Sequence, residues 1–204
     1  MLQEISEFST RQSVVIYTDG SCIQNGKKGS FGGIGAFFGP GDARNISECV
    51  RFGGGGGKKV TNQSTELLAC VRALAIVFND PGQKEPDVVI KTDSEYLVKS
   101  MNTWAASWST NGWKTRDGRP IANLASMQRL YDFKRKHGVR FVHVRAHGSE
   151  PSNDQKGTQF YRDWYGNNEA DGLARKGTAK CRNNEEQIRE PISRSAGAFR
   201  CSLL

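Results

Sequence analysis

Apolar and polar positions change period several times along the chain, and the changes mark its elements. Residues 14–18 are an apolar run that ends in Asp19-Gly20-Ser21, the pattern of a strand entering a turn. Two short apolar-rich stretches, 32–38 and 45–52, flank Gly39-Pro40-Gly41-Asp42 and predict a hairpin after that strand. Five consecutive glycines at 53–57 make a flexible loop with no side chain to bury. From Ser64 the period becomes helical, with Leu67, Val71, Leu74 and Phe78 on one stripe that ends near Asn79, before Pro81-Gly82 and Pro86. Residues 88–91 are a β-branched run, and Ser94 opens a second helix through about Trp104. Residues 122–136 predict a third helix. It has Leu124, Met127, Leu130 and Tyr131 on one face and Lys134-Arg135-Lys136 near its C-terminus, where cations complement the dipole. Alternation over 139–145 gives a last strand, and 167–176 a last helix stopped by Gly177. Beyond Lys180 periodic apolar residues are sparse, and the tail is expected to be disordered. Antiparallel strands followed by alternating helices and strands imply an α/β fold, a mixed sheet with helices packed on it.

Composition narrows the class. The chain has 204 residues with 29 basic and 21 acidic side chains, a formal charge of +8. That length suits one domain with short extensions, and no run of 18 apolar residues is present to span a membrane. The first twelve residues carry Glu4 and Glu7 and lack an apolar core, which argues against a secretory signal. Five cysteines, an odd number with no CxxC, are read as thiols in a reducing compartment. An intracellular location, cytoplasmic or nuclear, is therefore expected. The charge is uneven. Residues 99–145 hold 10 basic and 2 acidic groups, net +8, while residues 1–98 hold 10 and 11, net −1. Tryptophans are interleaved with the basic stretch, as in nucleic-acid-binding surfaces. The glycine-rich stretches lack GxxxxGK[ST], which excludes a mononucleotide-binding loop.

Four acids stand where the chain changes element. Asp19 ends the first strand, Glu66 lies in the first turn of the first helix, Asp93 ends the fourth strand and Asp171 sits in the last helix. Taken singly, each has a plainer reading as a turn residue, a cap neighbour or an N-cap. Together they are candidates for one crevice, since ligands of open α/β sheets bind at the carboxyl ends of the strands. Clustered carboxylates need a cation. Hard oxygen donors without a Cys or His cluster select Mg²⁺, with Mn²⁺ as a substitute, and two such ions about 4 Å apart can drive phosphodiester hydrolysis.

The strings around these acids carry a resemblance. Tyr17-Thr18-Asp19-Gly20-Ser21-Cys22, the run from Thr61-Asn62-Gln63-Ser64-Thr65-Glu66 to Ala69, Lys91-Thr92-Asp93-Ser94-Glu95-Tyr96, Asn111-Gly112-Trp113-Lys114-Thr115, and Asn168-Glu169-Ala170-Asp171-Gly172-Leu173 occur in the order of type 1 ribonuclease H. The resemblance runs from about residue 14 to 177. It implies a ribonuclease H-like fold with a mixed five-stranded sheet, three antiparallel strands first and then parallel ones, and helices on both faces. It divides the chain into an extension (1–13), a catalytic domain (14–178) and a basic tail (179–204). It implies an endonuclease that hydrolyses the RNA strand of RNA–DNA hybrids with two Mg²⁺ ions, leaving 3′-hydroxyl and 5′-phosphate ends. Asp19, Glu66, Asp93 and Asp171 would hold the metals, with Asp19 bridging both.

The resemblance also assigns a histidine and the substrate contacts. His147, in Val144-Arg145-Ala146-His147-Gly148, resembles the family's loop histidine, which assists proton transfer or product release. His137 and His143 read as structural. Asn25, Asn62 and Gln63 match polar contacts that read the 2′-hydroxyl, and Thr61 with Asn25 and Lys59 resembles a pocket for a DNA-strand phosphate. The stretch Trp104 to Arg116, with Trp108, Trp113 and Lys114, resembles a basic protrusion; Lys114, Arg116 and Arg119 would meet phosphates. Among its tryptophans, Trp104 is the better candidate for the core and Trp113 for the nucleic acid. Cys22 reads as a packing residue.

The chain also departs from the family pattern. Residues 149–166 form a longer insertion carrying Phe160, Tyr161, Trp164 and Tyr165, and the three residues after Trp108 are uncharged. Thirteen residues leave no room for an N-terminal hybrid-binding domain, so distributive cleavage by a monomer is expected. Cys201-Ser202-Leu203-Leu204 matches the C-a-a-X pattern loosely. Two other functions compete with hydrolysis: a catalytically silent hybrid-binding module, and a related polynucleotidyl transferase.

Overall fold

In the computed structural model Ser13–Ile23 forms β1, Phe31–Phe37 β2, Ile46–Val50 β3, Asp87–Thr92 β4 and Arg140–His143 β5. The structure describes residues 13–51, 59–79, 86–145 and 148–197, with side chains as far as Arg182. The glycine run, His147 and Cys201 therefore lie outside the described residues.

The five strands form one sheet in the order β3-β2-β1-β4-β5. β1 pairs antiparallel with β2 and parallel with β4, so it lies at the centre, and Ile16, Tyr17, Thr18 and Asp19 are all buried. A strand covered on both faces reads as a continuous apolar run, which is why 14–18 shows no alternation. The expected mixed sheet is observed, with strand ends within a few residues of those predicted except that β1 extends five residues past Thr18.

Helices cover both faces. α1, Asn62–Phe78, starts at the N-cap Thr61, whose hydroxyl accepts from the Ser64 amide at 3.1 Å while Ser64 Oγ accepts from the Thr61 amide at 2.9 Å. This cap places Glu66 fifth in the helix rather than in its first turn. The favourable dipole of a helix start therefore does not account for an acid at this position. The predicted second helix continues past Trp104. It consists of α2, Glu95–Lys99, a π turn at Ser100–Trp104, and α3, Ala105–Thr110. α4 spans Leu124–His137 and ends at Gly138 in the left-handed region, φ 69°.

α5 corrects the sequence reading twice. It runs Gln159–Gly197, beginning eight residues before the expected start and passing through Gly177. Half of the insertion is thus the opening of this helix. Tyr165 packs edge-on against Phe37 at 5.7 Å, and Asp163 takes hydrogen bonds from Tyr17 Oη at 2.8 Å and Gln159 Nε2 at 2.8 Å beside the Lys91 ammonium. The helix lies directly on β2. A side chain at Gly35 would stand 2.1 Å from the Ala170 carbonyl oxygen and 2.6 Å from the Ala174 amide. Cys181, farther along α5, is disulfide-bonded to Cys49 of β3. That pair departs from the expectation of free thiols; among the described residues Cys22 and Cys70 are the free ones. No helix among the described residues is long and apolar enough to cross a membrane.

Candidate active site

Parallel pairing of β1 with β4 brings Asp19 and Asp93 to the same end of the sheet. Tyr17 is registered with Lys91, and two residues further on each strand is an aspartate. Glu66 approaches from α1. Its backbone touches β1 so closely that a Cβ at Gly20 would be 2.3 Å from the Glu66 amide nitrogen. Asp171 approaches from α5, which Gly35 admits to the sheet opposite Asp19. The four predicted acids therefore converge from four elements, and the smallness of two glycines is what permits it.

Each carboxylate has a neighbour that orients it. Asp19 Oδ1 accepts from the Gly20 amide at 2.7 Å, Glu66 accepts from the Ser94 hydroxyl, Asp93 Oδ2 accepts from Asn167 Nδ2 at 3.2 Å, and Asp171 is engaged by Arg175 one turn along. His143 Nε2 lies 3.2 Å from the Asp93 carbonyl oxygen, so this strand histidine steadies the Asp93 turn. His137 instead stacks on Phe78 at 3.9 Å, a packing role as expected.

The electrostatics report crowding. Burial first, then the charge of Asp93 and smaller contributions from Asp171 and Glu66, push Asp19 up to about 7 against the opposing Gly20 amide. Glu66 is also raised, by burial and then Asp93, with the Ser94 hydroxyl opposing. As the side chains stand, no three His, Cys, Asp or Glu among the described residues are drawn together into a metal-ligating group. Each of the four carboxylates has a donor of its own. The donor set is nevertheless all oxygen, with Asp19 and Asp171 buried and Glu66 and Asp93 half-buried, which suits a hard divalent cation and not zinc.

The polar candidates gather one turn from Glu66. Asn25 Oδ1 accepts from the Asn62 amide at 3.1 Å, beside the Thr61 cap, and Asn62, Gln63 and Lys59 are exposed. Cys22 Sγ donates to the Val60 carbonyl at 3.4 Å, consistent with packing. In the protrusion Lys114 and Arg116 are exposed, whereas Arg119 is paired with Asp117. The tryptophans reverse the expectation. Trp113 is half-buried against the core and meets Tyr131 edge-on at 5.7 Å, as Trp108 also packs on the core, while Trp104 is 37% exposed. The π turn slips the helical register, and Ala105 takes the buried position. Lys134 is spent on Met101 O and Asn102 Oδ1, at 2.8 and 2.9 Å. Arg135 and Lys136 line a cavity of about 460 Å³ with Phe78, at the far end of α1 from Glu66.

Sequence reasoning missed Ser94, Asn167, His143 and Arg175 as partners of the acids. The spacing held a signal for two of them, since Asn167 and Arg175 flank Asp171 at four residues on one helix face.

A mixed α/β sheet with acids at the carboxyl ends of its central parallel strands places the chain in the class of α/β proteins whose ligand crevice is acidic. Within that class the chain belongs to the RNase H family, whose sequence profile matches residues 11–179 and whose members depend on divalent metal. It is 36% identical over 166 residues to a Ribonuclease H of Schizosaccharomyces pombe, covering 81% of this chain and 53% of that protein. It is 32% identical over 155 residues to a Ribonuclease H of Nitrosomonas eutropha, covering 72% and 86%. The chain thus spans about half the length of the eukaryotic relatives it matches. Among solved structures it resembles LC9-RNase H1, described as a type 1 RNase H with the type 2 active-site motif. The TM-score is 0.58 at 25% identity, over 83% of this chain and 74% of that one. The fold also matches a solution structure of the PFV RNase H domain at TM-score 0.56 and 24% identity, over 81% and 94%.

Proposed function

We propose that this chain is a type 1 ribonuclease H that hydrolyses the RNA strand of RNA–DNA hybrids, with residues 14–178 as its catalytic unit. The observation that carries the reading is the convergence of Asp19, Glu66, Asp93 and Asp171 on one crevice in a chain of this family. These residues would hold two Mg²⁺ ions, or Mn²⁺ in their place. When bound, the ions activate water and stabilise the leaving oxygen. Asp19 is the most buried of the set and feels the other three, which suits it to the shared position. Ser94, the Gly20 amide and Asn167 fix three of the carboxylates before metal arrives. Asp171, which is paired with Arg175, would be the fourth of the residues holding metal.

The hybrid would lie across the start of α1. Asn25, Asn62 and Gln63 would sense the ribose hydroxyl, Thr61 and Lys59 a DNA-strand phosphate, and Lys114 and Arg116 further phosphates, with Trp108 and Trp113 forming the wall behind them. His147 would move a proton at the cleaved linkage. Of the described residues nearest to it in the chain, the Val144 amide donates to Thr92 O at 3.0 Å and Trp164 Nε1 donates to Gly148 O at 3.0 Å. Water adds to phosphorus as the bond to the 3′-oxygen breaks, giving 3′-hydroxyl and 5′-phosphate ends. The enzyme is read as a monomer; with Cys49 and Cys181 paired, the cysteines no longer point to an intracellular, cytoplasmic or nuclear location.

The test is cleavage of a labelled hybrid in Mg²⁺ beside Asp93→Asn. Turnover by the wild type and none by the variant is expected. Stoichiometric binding without turnover would favour the silent hybrid-binding module, and joining of DNA strands the transferase.

A further inference from the structure

Tyr17 of β1 and Lys91 of β4 are registered partners, and each stands two residues before an acid of the crevice. Strand alternation therefore puts both side chains on the sheet face that carries Asp19. Both end on one atom. Asp163 Oδ1 of α5 accepts from Tyr17 Oη at 2.8 Å and from the Lys91 ammonium, and Gln159 Nε2 adds a third bond at 2.8 Å. The ion pair is largely out of water, with side chains 12% and 24% exposed. The ring of Tyr17 is gripped as well: a Cβ at Gly166 would stand 2.3 Å from it, so α5 rests directly on that ring. The hydrolytic site described above uses none of these groups. Their place on α5 nevertheless ties them to it. Asp163, Asn167 and Asp171 recur at intervals of four residues, one stripe of the helix. Asp163 meets β1 and β4, Asn167 Nδ2 donates to Asp93, and Asp171 adds to the charge felt by Asp19.

α5 lies mainly across β2, β1 and β3 and meets β4 little. Among the described residues, its side-chain bonds to β4 and to the acid that follows β4 are Asp163 with Lys91 and Asn167 with Asp93. Asp171 thus rides on a helix held by three strands, while Asp93 stands at the end of a fourth. The gap between these acids depends on the tilt of α5 over β4. A carboxylate bonded to β1 and β4 together fixes that tilt, because a helix that rocks must lose one bond or the other. Loss of the ammonium bond would strand a charge with little water to solvate it. Mg²⁺ demands near-ideal geometry from its oxygen ligands, so a small displacement of one acid weakens the whole set. We infer that Asp163, with Lys91 and Tyr17, is a positioning device for the metal-holding acids: it pins the opening turns of α5 to β1 and β4 and so sets the separation of Asp171 from Asp93 and Asp19. Its members act through the acids rather than on the bond that is cut. The inference rests on the hybrid-cleaving reading and gives the insertion a part in it, since Asp163 and Gln159 come from residues 149–166.

The test uses the full chain and reads two quantities side by side: the Mg²⁺ dependence of hybrid cleavage, and Mg²⁺ binding by calorimetry. Both are taken at a temperature where melting curves show every variant folded. Asp163→Ala should lower kcat about tenfold and weaken Mg²⁺ binding about tenfold, the scale of losing a partner behind metal ligands, and leave KM for the hybrid unchanged. Asp163→Asn keeps the length and an oxygen that accepts from Tyr17, and should recover most of the loss. Asp163→Glu keeps the charge but is one methylene longer, and should not. Tyr17→Phe leaves the ring under Gly166 and removes one bond, so it should cost less than Asp163→Ala. If Asp163→Ala melts earlier but keeps the wild-type kcat and Mg²⁺ affinity, the knot is a stabilising contact only and the inference falls. Full recovery by Asp163→Glu would overturn it too, since charge alone would then suffice. Where Asp163→Ala does not fold, the contrast between Asn and Glu carries the test. A wild type that cuts no hybrid would remove the hybrid-cleaving reading, and Mg²⁺ binding by the same variants would still decide whether Asp163 positions the acids.

Discussion

The carboxylate crevice and the protrusion at residues 111–120 carry opposite charge and are built by opposite means. In the crevice, backbone fixes the side chains: Gly20 lets α1 touch β1, Gly35 lets α5 rest on β2, and the acids arrive crowded and at least half-buried. In the protrusion a short bridge between Lys114 and Pro120 and local bonds such as Asn111 Oδ1 to the Lys114 amide at 3.2 Å hold an exposed loop. Lys114 and Arg116 reach out from it into water. Chemistry that depends on position is placed where the fold cannot yield. Binding to a regular, flexible polyanion is left to side chains that can adjust.

The strongest way to break this comparison is at Asp19. Replacement by Asn should lower hydrolysis about a thousandfold or more, the scale seen when groups acting as a unit lose a member. Its effect on stability should have the other sign. In the folded state Asp19 is raised from 3.8 to about 7, so without metal its contribution is fully present below pH 4 and is lost as pH rises through 7. Melting in EDTA at pH 5 and pH 8 should show the wild type losing more stability than Asp19→Asn. Equal losses would mean the crevice is not crowded. The same shift predicts that metal binding below about pH 7 displaces a proton, so affinity should fall as the pH is lowered, approaching tenfold per pH unit only below about pH 6, readable by calorimetry at pH 5, 6 and 8.

Next in size is Gly35→Ala. One methyl group must push α5 off the sheet, because the atoms it meets are backbone. A loss of about 1–3 kcal/mol, the usual cost of overpacking, is expected in thermal or denaturant unfolding. Cleavage should also fall by tenfold or more as Asp171 moves from Asp19. A variant that loses stability but keeps full activity would show that α5 need not sit against β2 for the acids to meet.

Asp19 and Asp93 were legible because each stands at the end of a strand, and strand direction alone then brings the two together; Glu66 and Asp171 lie inside helices and were legible only from the strings around them. What accepts and admits them was not. Gly177 reads as a helix stop, yet α5 runs through it, because a Cβ there would lie 2.4 Å from the Glu48 carbonyl oxygen. The same residue type serves a cap or a close approach, and only the neighbouring strand decides which. The start of α5 was missed although its aromatics stand at helical spacing, Phe160 with Trp164 and Tyr161 with Tyr165, because the stretch reads as an insertion between His147 and the last helix. They become helical by packing on Phe37 and binding Tyr17. Cys49 and Cys181 are 132 residues apart, and an odd cysteine count gives no hint that two of them pair across α5 and β3. Trp104 was misplaced because a π turn cannot be read from periodicity that assumes 3.6 residues per turn, whereas Trp113 lies beyond α3 and is drawn inward by Tyr131 and the core.

A smaller effect sharpens the protrusion's side of the comparison. Replacing Lys114 and Arg116 together by Ala should lower the salt slope of hybrid binding by roughly 1–2 and leave kcat unchanged. An unaltered slope would place the protrusion off the interface. Trp104→Ala should change stability little, while Trp113→Ala should cost about 3 kcal/mol because it empties a site against Tyr131 and the core.

The smallest expected effect is at Arg119. It sits on the same loop as Lys114 and Arg116, and by charge alone it should contribute equally. Asp117, however, is held ionised below the ordinary carboxylate range, first by the Thr115 hydroxyl and also by Arg119 itself, whose Nε donates to Asp117 Oδ2 at 2.7 Å. A phosphate approaching this corner meets a pair with no net charge. Arg119→Ala should therefore shift the salt slope by less than either neighbour does, since it removes a cation but leaves an unpaired anion near the duplex only at the loop's edge. Asp117→Asn should do more than Arg119→Ala and in the opposite direction, raising the slope by up to about one by releasing Arg119 to a phosphate. If Arg119→Ala proves as costly as Lys114→Ala, the ion pair opens on binding. The protrusion would then be a surface that rearranges around nucleic acid while the crevice stays fixed.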